Sequence, residues 1–531
     1  MKKKYRILVL DEVAPRGVEV LRGISEFEVE ESKPLKEDEL IAKMGDMDAV
    51  VLRSQSKITK PVMQAAKKLK VVGRAGVGVD NVDVEFATEK GIVVMNTPGG
   101  NTISTAEHTF SLLLSLARNI PQANQSTKEG KWERKKFQGT EICNKTLGIL
   151  GMGRIGSEVA RRALAFGMRV LAYDPYLSVS RSKNLQVELF ENLKEMLPQC
   201  DFVTMHMPMT KETRGMLNKE TLALCKPTAR IINCARGGLV EEAALEEAIR
   251  SKKLAGAALD VFEIEPPPED FPLRKLDSVL MVPHLGASTY EAQESVGVEI
   301  AEAIRDMLLN GSIRNAVNMP NVDLKTLAVL RPYLDLGLKL GKALAQIAPS
   351  RCENLTITYY GKISELDTTA VTRAVLKGFL YQAGGGVVNE VNAPKFAANL
   401  GLKFSEVKQS ETQDYSELIS VEARTDGQVY KVKGTYFGAA QRIVNINGYP
   451  IDVCPEGVLL MMENKDQPGI VGRVGTLTGK ENVNIGNMSL SRSASDSKAL
   501  CVLNLDSMPS ASLIEQVKKD NAIYSVQLVQ F

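Results

Sequence analysis

The sequence reads as α/β, with two doubly wound parallel sheets followed by two smaller α+β units, and three features say so. Short apolar, β-branched runs alternate with helix-length segments as far as about residue 300: YRILVL, DAVVLRS, KVVGRA, IVVMN, TLGILG, RVLAYD, DFVTMH, RIINCA, AGAALDVF and SVLMVPH. Strands separated by helices pair in parallel, because each return to the sheet needs a crossover of that length. So many strands outgrow one open twisted sheet, which seldom passes about ten, and two sheets are expected. The texture then changes after about Pro320, where a long helical run gives way to strands without the regular alternation.

At 531 residues the chain should fold as roughly three or four units of ~100–150 residues. Two long helical patterns read as crossings between the sheets. One spans 102–118, with Ser104 and Glu107 spaced as a capping box; the other spans 288–309 and stops at Gly311. The first unit is therefore expected to be discontinuous, residues 1–98 completed by 287–318, with 99–286 as the second. Residues 319–454 hold the helical run DLKTLAVLRPYLDLGLKLGKALAQIA, strands such as NLTITYYG, a glycine-rich turn at Gly384 to Gly386, and the strands in GQVYKVKGTYFG and RIVNINGY, with no catalytic signature. Residues 455–531 read VLLMMEN, IVGRVGTLTGKE, VNIGNMSLSR, ALCVLNLD, ASLIEQVKKD and IYSVQLVQF. That βαββαβ order is the ferredoxin-like split unit.

Composition narrows the function. Hydrophobic residues make up 44% and charged ones 24%, the balance of a soluble chain with ample core. Lys+Arg 66 against Asp+Glu 64 leaves +2, so no overall field gathers nucleic acid or an anionic membrane, and anion recognition must be local. No run approaches the ~20 apolar residues that cross a bilayer. The opening MKKKYRILVLDEV is basic, but its apolar run ends at Asp11 and Glu12, too short for a secretion signal, so it reads as a first strand. Seven scattered cysteines without a CxxC pair read as reduced thiols of a cytoplasmic protein. His108, His206 and His284 are the whole supply of imidazole, and no metal cluster is expected.

In TLGILGMGRIG a strand ends in Gly151, Gly153 and Gly156, and a helical segment follows. Such glycines allow a tight turn, close approach of backbone to a pyrophosphate and tight helix packing, while free N–H groups at the helix start face the anion. The next strand, RVLAYD, places Asp174 eighteen residues after Gly156, where a carboxylate accepts hydrogen bonds from an adenosine ribose. Asp174 repels a 2′-phosphate, and Pro175 and Tyr176 bring no cation, so a Rossmann-like domain binding NAD rather than NADP is expected. A turn that merely joins strand to helix is the alternative. A second glycine series, Gly73, Gly76 and Gly78 in GRAGVGVDN, has Asn81 where the last glycine of a fingerprint falls and is assigned to the edge of the substrate cleft.

Three polar residues follow expected strands: Arg236 after RIINCA, Glu265 after LDVF and His284 after SVLMVP. Ligands of open α/β sheets bind beyond the carboxyl ends of strands, which lets residues distant in sequence converge. Hydride loss from a secondary alcohol needs a base for the hydroxyl proton; His284 is the candidate, with Glu265 holding its ring. Arg236 would clamp a substrate carboxylate and polarise the adjacent C–O bond. Taken singly, each has a plainer role: a structural histidine, a helix-capping RGG turn, a solvated glutamate before Pro266, Pro267 and Pro268.

INCARGGLV, ALDVFEIEPPP and PHLGAST resemble the signature blocks of the D-2-hydroxyacid dehydrogenases. RAGVGVDNVD, MNTPGGNTISTAEH, GKWERKKFQGTE and LGILGMGRIG are similar to the branch of that family that acts on 3-phosphoglycerate. The likeness runs from the first strand to near residue 315. It implies Arg236, Glu265 and His284 as the catalytic three. It implies cofactor contacts from Arg154 and Ile155 at the pyrophosphate turn, from Asp174, Cys234 and Asp260, and from His284, Leu285, Gly286 and Ala287. Val77 and Met207 belong to the same set, although relatives often carry threonine at both, which removes any hydroxyl contact. Residues 319–454 resemble the intervening domain of the longer members. The last unit resembles an ACT domain, in which Asn464, Asp466 and Asn484 are candidates to hold an L-serine effector; an ACT unit that only assembles subunits is the alternative.

A 3-phosphoglycerate ion carries a carboxylate and a phosphate, so its pocket needs more cations than one for lactate or glycerate. Arg53 and Ser54 in LRSQS, and Arg74 in GRAG, follow strands and are expected in the cleft. Gly100 and Asn101 resemble the family's contacts to the carboxylate. In the basic run Lys131, Arg134, Lys135, Lys136, the middle two are candidates for phosphate contacts from a neighbouring subunit; a solvated face is the alternative. His108 and His206 are expected to be structural. The resemblance thus implies NAD-dependent oxidation of 3-phosphoglycerate to 3-phosphohydroxypyruvate, the first step of serine biosynthesis, by a homo-oligomer, a tetramer by analogy. The rivals are a reductase of 2-hydroxyglutarate, glyoxylate or hydroxypyruvate with the same three residues, and an NAD-sensing binding protein akin to the C-terminal-binding corepressors.

Overall fold

Parallel strands are covered on both faces, which is why the runs above are almost continuously apolar. The computed structural model describes residues 4–349, 351–384, 387–411, 414–425, 427–438, 440–493 and 497–531. Its first sheet has five parallel strands in the order Phe27–Glu31, Tyr5–Val9, Ala49–Leu52, Val71–Arg74 and Val93–Met95. The second has seven, in the order Val279–Met281, Gly256–Leu259, Arg230–Asn233, Phe202–Met205, Thr146–Leu150, Arg169–Tyr173 and Glu188–Phe190. Strand order reverses beside Tyr5–Val9 in one sheet and beside Thr146–Leu150 in the other, and a crevice opens at such a reversal. In these two sheets two strands are not foreseen from the sequence, Phe27–Glu31 and Glu188–Phe190. Both are partly exposed edge strands with charged residues, FEVEE and ELF, so neither presents an apolar run.

The helix Tyr290–Asn310 returns to the first sheet. Thr289 caps its start by accepting from the Ala292 N–H, and Gly311 at φ +74° ends it. Its Ile300 and Ile304, both 0% exposed, rest on Gly73, where a Cβ would stand 2.6 Å from the Ile304 Cδ1. Each such buried side chain stabilises by roughly 1.5–3 kcal/mol. The helix Thr102–Arg118 serves the second sheet instead, burying Ala106, Phe110 and Leu113 against Leu147, Ile149 and Val159. Its start departs from the expected capping box. Asn101 stands at the N-cap without a side-chain bond, the Ser104 hydroxyl donates to the Gly286 carbonyl at 2.8 Å, and Glu107 faces Arg162 at 3.2 Å. A tertiary acceptor has taken the hydroxyl that the local motif would use.

Six strands form the third sheet: Lys403–Gln409, Asn354–Gly361, Glu417–Thr425, Gln428–Phe437, Ala440–Ile446 and Tyr449–Val453, antiparallel except for the first pair. The helices Leu324–Ile347 and Thr369–Leu380 share its core. Of the expected glycine turn, Gly385 and Gly386 lie outside the described residues. The fourth sheet is antiparallel, in the order Ile485–Arg492, Lys498–Leu505, Val458–Lys465 and Ile523–Gln530, with its first strand inside as the split unit requires. One face carries the helices Ile470–Lys480 and Ala511–Lys518. The other shares a core with the preceding unit, where Leu459, Val502 and Val529 join Leu340 and Leu344. Among the described residues no helix is long and apolar enough to cross a membrane.

Candidate active site

Loops from the carboxyl ends of the first two sheets enclose a cavity of ≈ 310 Å³. On its second-sheet side, the chain leaves Leu150 through Gly151 at φ +91° and enters the helix Arg154–Ala165 from Gly153, which caps without a side chain. The first N–H groups of that helix therefore remain for an anion. A Cβ on Gly156 would lie 2.1 Å from the Gly151 carbonyl oxygen, and one on Gly151 2.6 Å from that of His206, whereas at Gly153 nothing lies within 4 Å. Packing demands the outer two glycines, and the middle one leaves open space at the helix start, as a pyrophosphate needs. Arg154 and Ile155 line the cavity. Asp174, just past the end of the neighbouring strand, accepts from the N–H groups of Met152 at 2.8 Å and Tyr176 at 2.9 Å, which ties its carboxylate to the glycine turn.

The turn after His284 is clamped from several sides. Asp260, 0% exposed, accepts from the Leu285 N–H at 2.6 Å and the Gly286 N–H at 2.9 Å, and His108 Nε2 lies 3.2 Å from the same carboxylate. Burial pushes the Asp260 pKa up, yet His108 and these N–H groups outweigh it and hold the carboxyl below its usual range. The Ser104 and Thr105 hydroxyls close on the Gly286 carbonyl, and His284 itself keeps φ +54°. Cys234, whose thiol is pushed up to about 12 by burial, completes a trio with His108 and Asp260 whose ligand atoms lie within 4.8 Å of one another.

His284 Nδ1 is 2.8 Å from Glu265 Oε2, and the Phe262 N–H donates to the other carboxylate oxygen at 3.0 Å. The bond to Glu265 raises the imidazole pKa above its ordinary value against the effect of burial. Burial in turn pushes Glu265 up, but His284 and the Phe262 N–H prevail and hold it below the usual range. Arg236 follows its strand through a turn in which Asn233 Nδ2 donates to the Arg236 carbonyl at 2.8 Å. A Cβ on Gly237 would lie 1.9 Å from the Phe262 carbonyl oxygen, so the arginine and glutamate loops touch backbone to backbone. Arg236 and His284 line the one cavity. On the first-sheet side, Asp80 Oδ2 stands 3.5 Å from Arg236 Nε. Burial, with repulsion from Arg236 and Arg53, lowers the Arg74 pKa to about 10, and its Nε has no hydrogen-bond partner.

Val77, Asn101, Met207 and Ala287 join the cavity wall, and the Asn101 Oδ1 is buried there without a partner. Gly100 sits behind the wall against Val296. Arg53 and Arg74, expected in the cleft, are not among the residues that line the cavity, and Ser54 and Leu285 are exposed. Arg134 and Lys135 are exposed and outside it. In the last unit, Asp466 pairs with Arg492 at 3.1 Å, Asn484 donates to Asp506 at 2.7 Å and Asn464 is buried. Asp80 lies in the GRAGVGVDN segment expected at the cleft edge but is not singled out there, Asp11 is passed over, and His108 and His206 are expected to be structural. His206 lines the cavity, where burial drives its pKa down to about 3 and keeps the ring neutral. Asp11 and His206 each follow a strand, the signal that picks out Arg236 and His284.

Comparison with known proteins first defines the class. Residues 110–286 match the NAD binding domain of the D-isomer specific 2-hydroxyacid dehydrogenases. The crystal structure of the TT0316 protein from Thermus thermophilus aligns 99% of its chain with 59% of this one, at 36% identity and a TM-score of 0.55. A glyoxylate reductase from Paecilomyes thermophila aligns 99% of its chain with 60% of this one, at 29% identity and 0.55. Beyond that half, residues 329–447 match the D-3-phosphoglycerate dehydrogenase intervening domain. The D-3-phosphoglycerate dehydrogenases of Methanocaldococcus jannaschii and Bacillus subtilis are each 41% identical, over 524 and 533 residues, covering 99% of this chain and 99% of their own. This chain belongs to the D-3-phosphoglycerate dehydrogenase family.

Proposed function

We infer that the protein oxidises the 2-hydroxyl of 3-phosphoglycerate to give 3-phosphohydroxypyruvate, at the head of serine biosynthesis. What carries the substrate assignment is the full-length likeness to D-3-phosphoglycerate dehydrogenases; with it agree Arg236 on the cavity wall with His284 and the repulsion that Arg74 feels from Arg236 and Arg53. One guanidinium suffices for the carboxylate of any 2-hydroxyacid; the others answer to a phosphate. NAD, when bound, supplies the hydride acceptor. Gly151, Gly153 and Gly156 with Arg154 and Ile155 would hold its pyrophosphate and Asp174 its ribose, while Val77, Met207, Cys234, Asp260 and the 284–287 turn would hold its nicotinamide end. His284, gripped at Nδ1 by Glu265, presents Nε2 to the substrate hydroxyl and takes its proton; Glu265 steadies the imidazolium. Arg236 with Gly100 and Asn101 orients the carboxylate, and Arg53, Ser54 and Arg74 the phosphate, with Arg134 and Lys135 supplied from a neighbouring subunit.

The division of labour follows the chain: 1–98 with 287–318 for substrate, 99–286 for NAD, 319–454 as the intervening unit and 455–531 as an ACT unit. A cytoplasmic homotetramer with L-serine as effector at Asn464, Asp466 and Asn484 completes the reading. The test follows NADH absorbance with 3-phosphoglycerate, D-glycerate and 2-hydroxyglutarate, each with and without L-serine. 3-Phosphoglycerate should turn over best, and faster oxidation of unphosphorylated glycerate would overturn the assignment.

A further inference from the structure

We propose that Asp11 is the positioning residue for the substrate's phosphate, fixing the turn that carries Arg53 and Ser54. The inference rests on the reading of Arg53 and Arg74 as the phosphate's partners. Asp11 ends the first strand's apolar run at the point where the order of the first sheet reverses, and it is 1% exposed. A buried carboxylate is costly unless donors surround it. Here the donors belong to one turn: the N–H groups of Arg53 at 3.0 Å, Gln55 at 3.2 Å and Ser56 at 3.0 Å, and the Ser56 hydroxyl at 2.5 Å. The charge is also felt at Arg74, whose charged form Asp11 and Asp80 favour against its arginine neighbours.

Two further observations agree. Asp11 and Glu12 lie at φ +62° and +52°, successive non-glycine residues in the left-handed region, a conformation that the surroundings must impose. Asn81 Nδ2 donates to the carbonyls of the same turn, Arg53 at 2.8 Å and Ser56 at 2.7 Å. Asn81 follows Asp80, which faces Arg236. The Arg53 turn is thus held twice over, its N–H groups by a strand terminus and its carbonyls by the loop that meets Arg236. Orientation is what this grip supplies, and a guanidinium displaced by about 1 Å loses much of a bidentate contact to phosphate.

The experiment uses the full-length protein with Asp11→Asn and Asn81→Ala, each assayed with 3-phosphoglycerate and D-glycerate at saturating NAD. Asp11→Asn keeps the size but turns one acceptor into a donor facing N–H groups. KM for 3-phosphoglycerate should rise about tenfold or more while kcat and the KM for NAD move less than about threefold, the pattern of lost substrate binding rather than lost chemistry. Kinetics with D-glycerate should stay as in the unaltered protein, so the preference for the phosphorylated substrate shrinks by the same factor. Asn81→Ala should show a smaller rise of the same kind, and it decides the matter if Asp11→Asn does not fold. An unchanged KM for 3-phosphoglycerate in the deciding variant, or an equal loss with both substrates, overturns the role of Asp11. An unaltered protein that does not prefer 3-phosphoglycerate overturns the substrate assignment instead.

Discussion

His284 can accept a proton only while neutral, and its hydrogen bond to Glu265 raises the pH at which it becomes so. Turnover in the oxidative direction should therefore climb with pH through a value above the ordinary imidazole pKa of ~6.5. Glu265→Gln removes the cause of that shift, so the acid limb should move to lower pH and the plateau should fall; an unmoved limb would detach Glu265 from the base. Stability follows the same pair with opposite signs. The share from His284 is full below the ordinary imidazole pKa and fades as pH rises through the raised value, while that from Glu265 is present above the ordinary glutamate pKa and fades as pH falls through the lowered one. With both groups partly exposed these shares are small. His284→Asn should cut kcat by about 10²–10⁴-fold. NADH binding, read by fluorescence, should persist, and a near-normal rate would remove His284 as base. The strand-end rule finds His284 and Arg236 from sequence because their strands are strong apolar runs. Asp80 and Asn81 escape it, since their loop lies several residues past its strand and only the fold turns it toward Arg236.

Single elements show how local preference yields to contact. The helix Thr102–Arg118 is legible from its periodicity, but its N-terminal bonding is not, because the Gly286 carbonyl that takes Ser104 comes from a turn far along the chain. The RGG segment is the reverse case: its glycine looks like a cap residue, and the fold uses it to bring two loops into backbone contact. Gly237→Ala would force a methyl to 1.9 Å from the Phe262 carbonyl oxygen. Such overpacking costs ~1–3 kcal/mol. It should also part Arg236 from the Phe262 to Glu265 loop, lowering kcat/KM while NADH still binds. A urea midpoint and a kcat/KM that both match the unaltered protein would show that the loops do not depend on this contact.

In the whole molecule, the last sheet is structural as well as terminal. Both of its faces are covered, one by its own helices and the other by the intervening unit, through Leu459, Val502 and Val529. A chain ended before residue 455 should therefore bare that shared core, bind 8-anilinonaphthalene-1-sulfonate and associate at micromolar concentration. A monodisperse, dye-silent truncation would show the interface to be dispensable. The intervening unit grips the first sheet in a similar way. Asn389 donates to the Gly91 carbonyl at 2.8 Å, Lys395 bridges Glu85 and Glu89, and Val391 enters the first unit's core.

Periodicity and glycine spacing depend only on neighbours along the chain, so the apolar strands of the two parallel sheets, the dinucleotide turn and the residue types able to move a proton and hold anions are legible before any fold is known. The charged edge strands stayed hidden because they are specified by pairing partners, not by their own apolarity. Which hydroxyl caps a helix, which carboxylate steadies the Arg53 turn and which histidines border the cleft were decided by the tertiary structure. Those outcomes turn on distances between segments that the chain order does not encode locally.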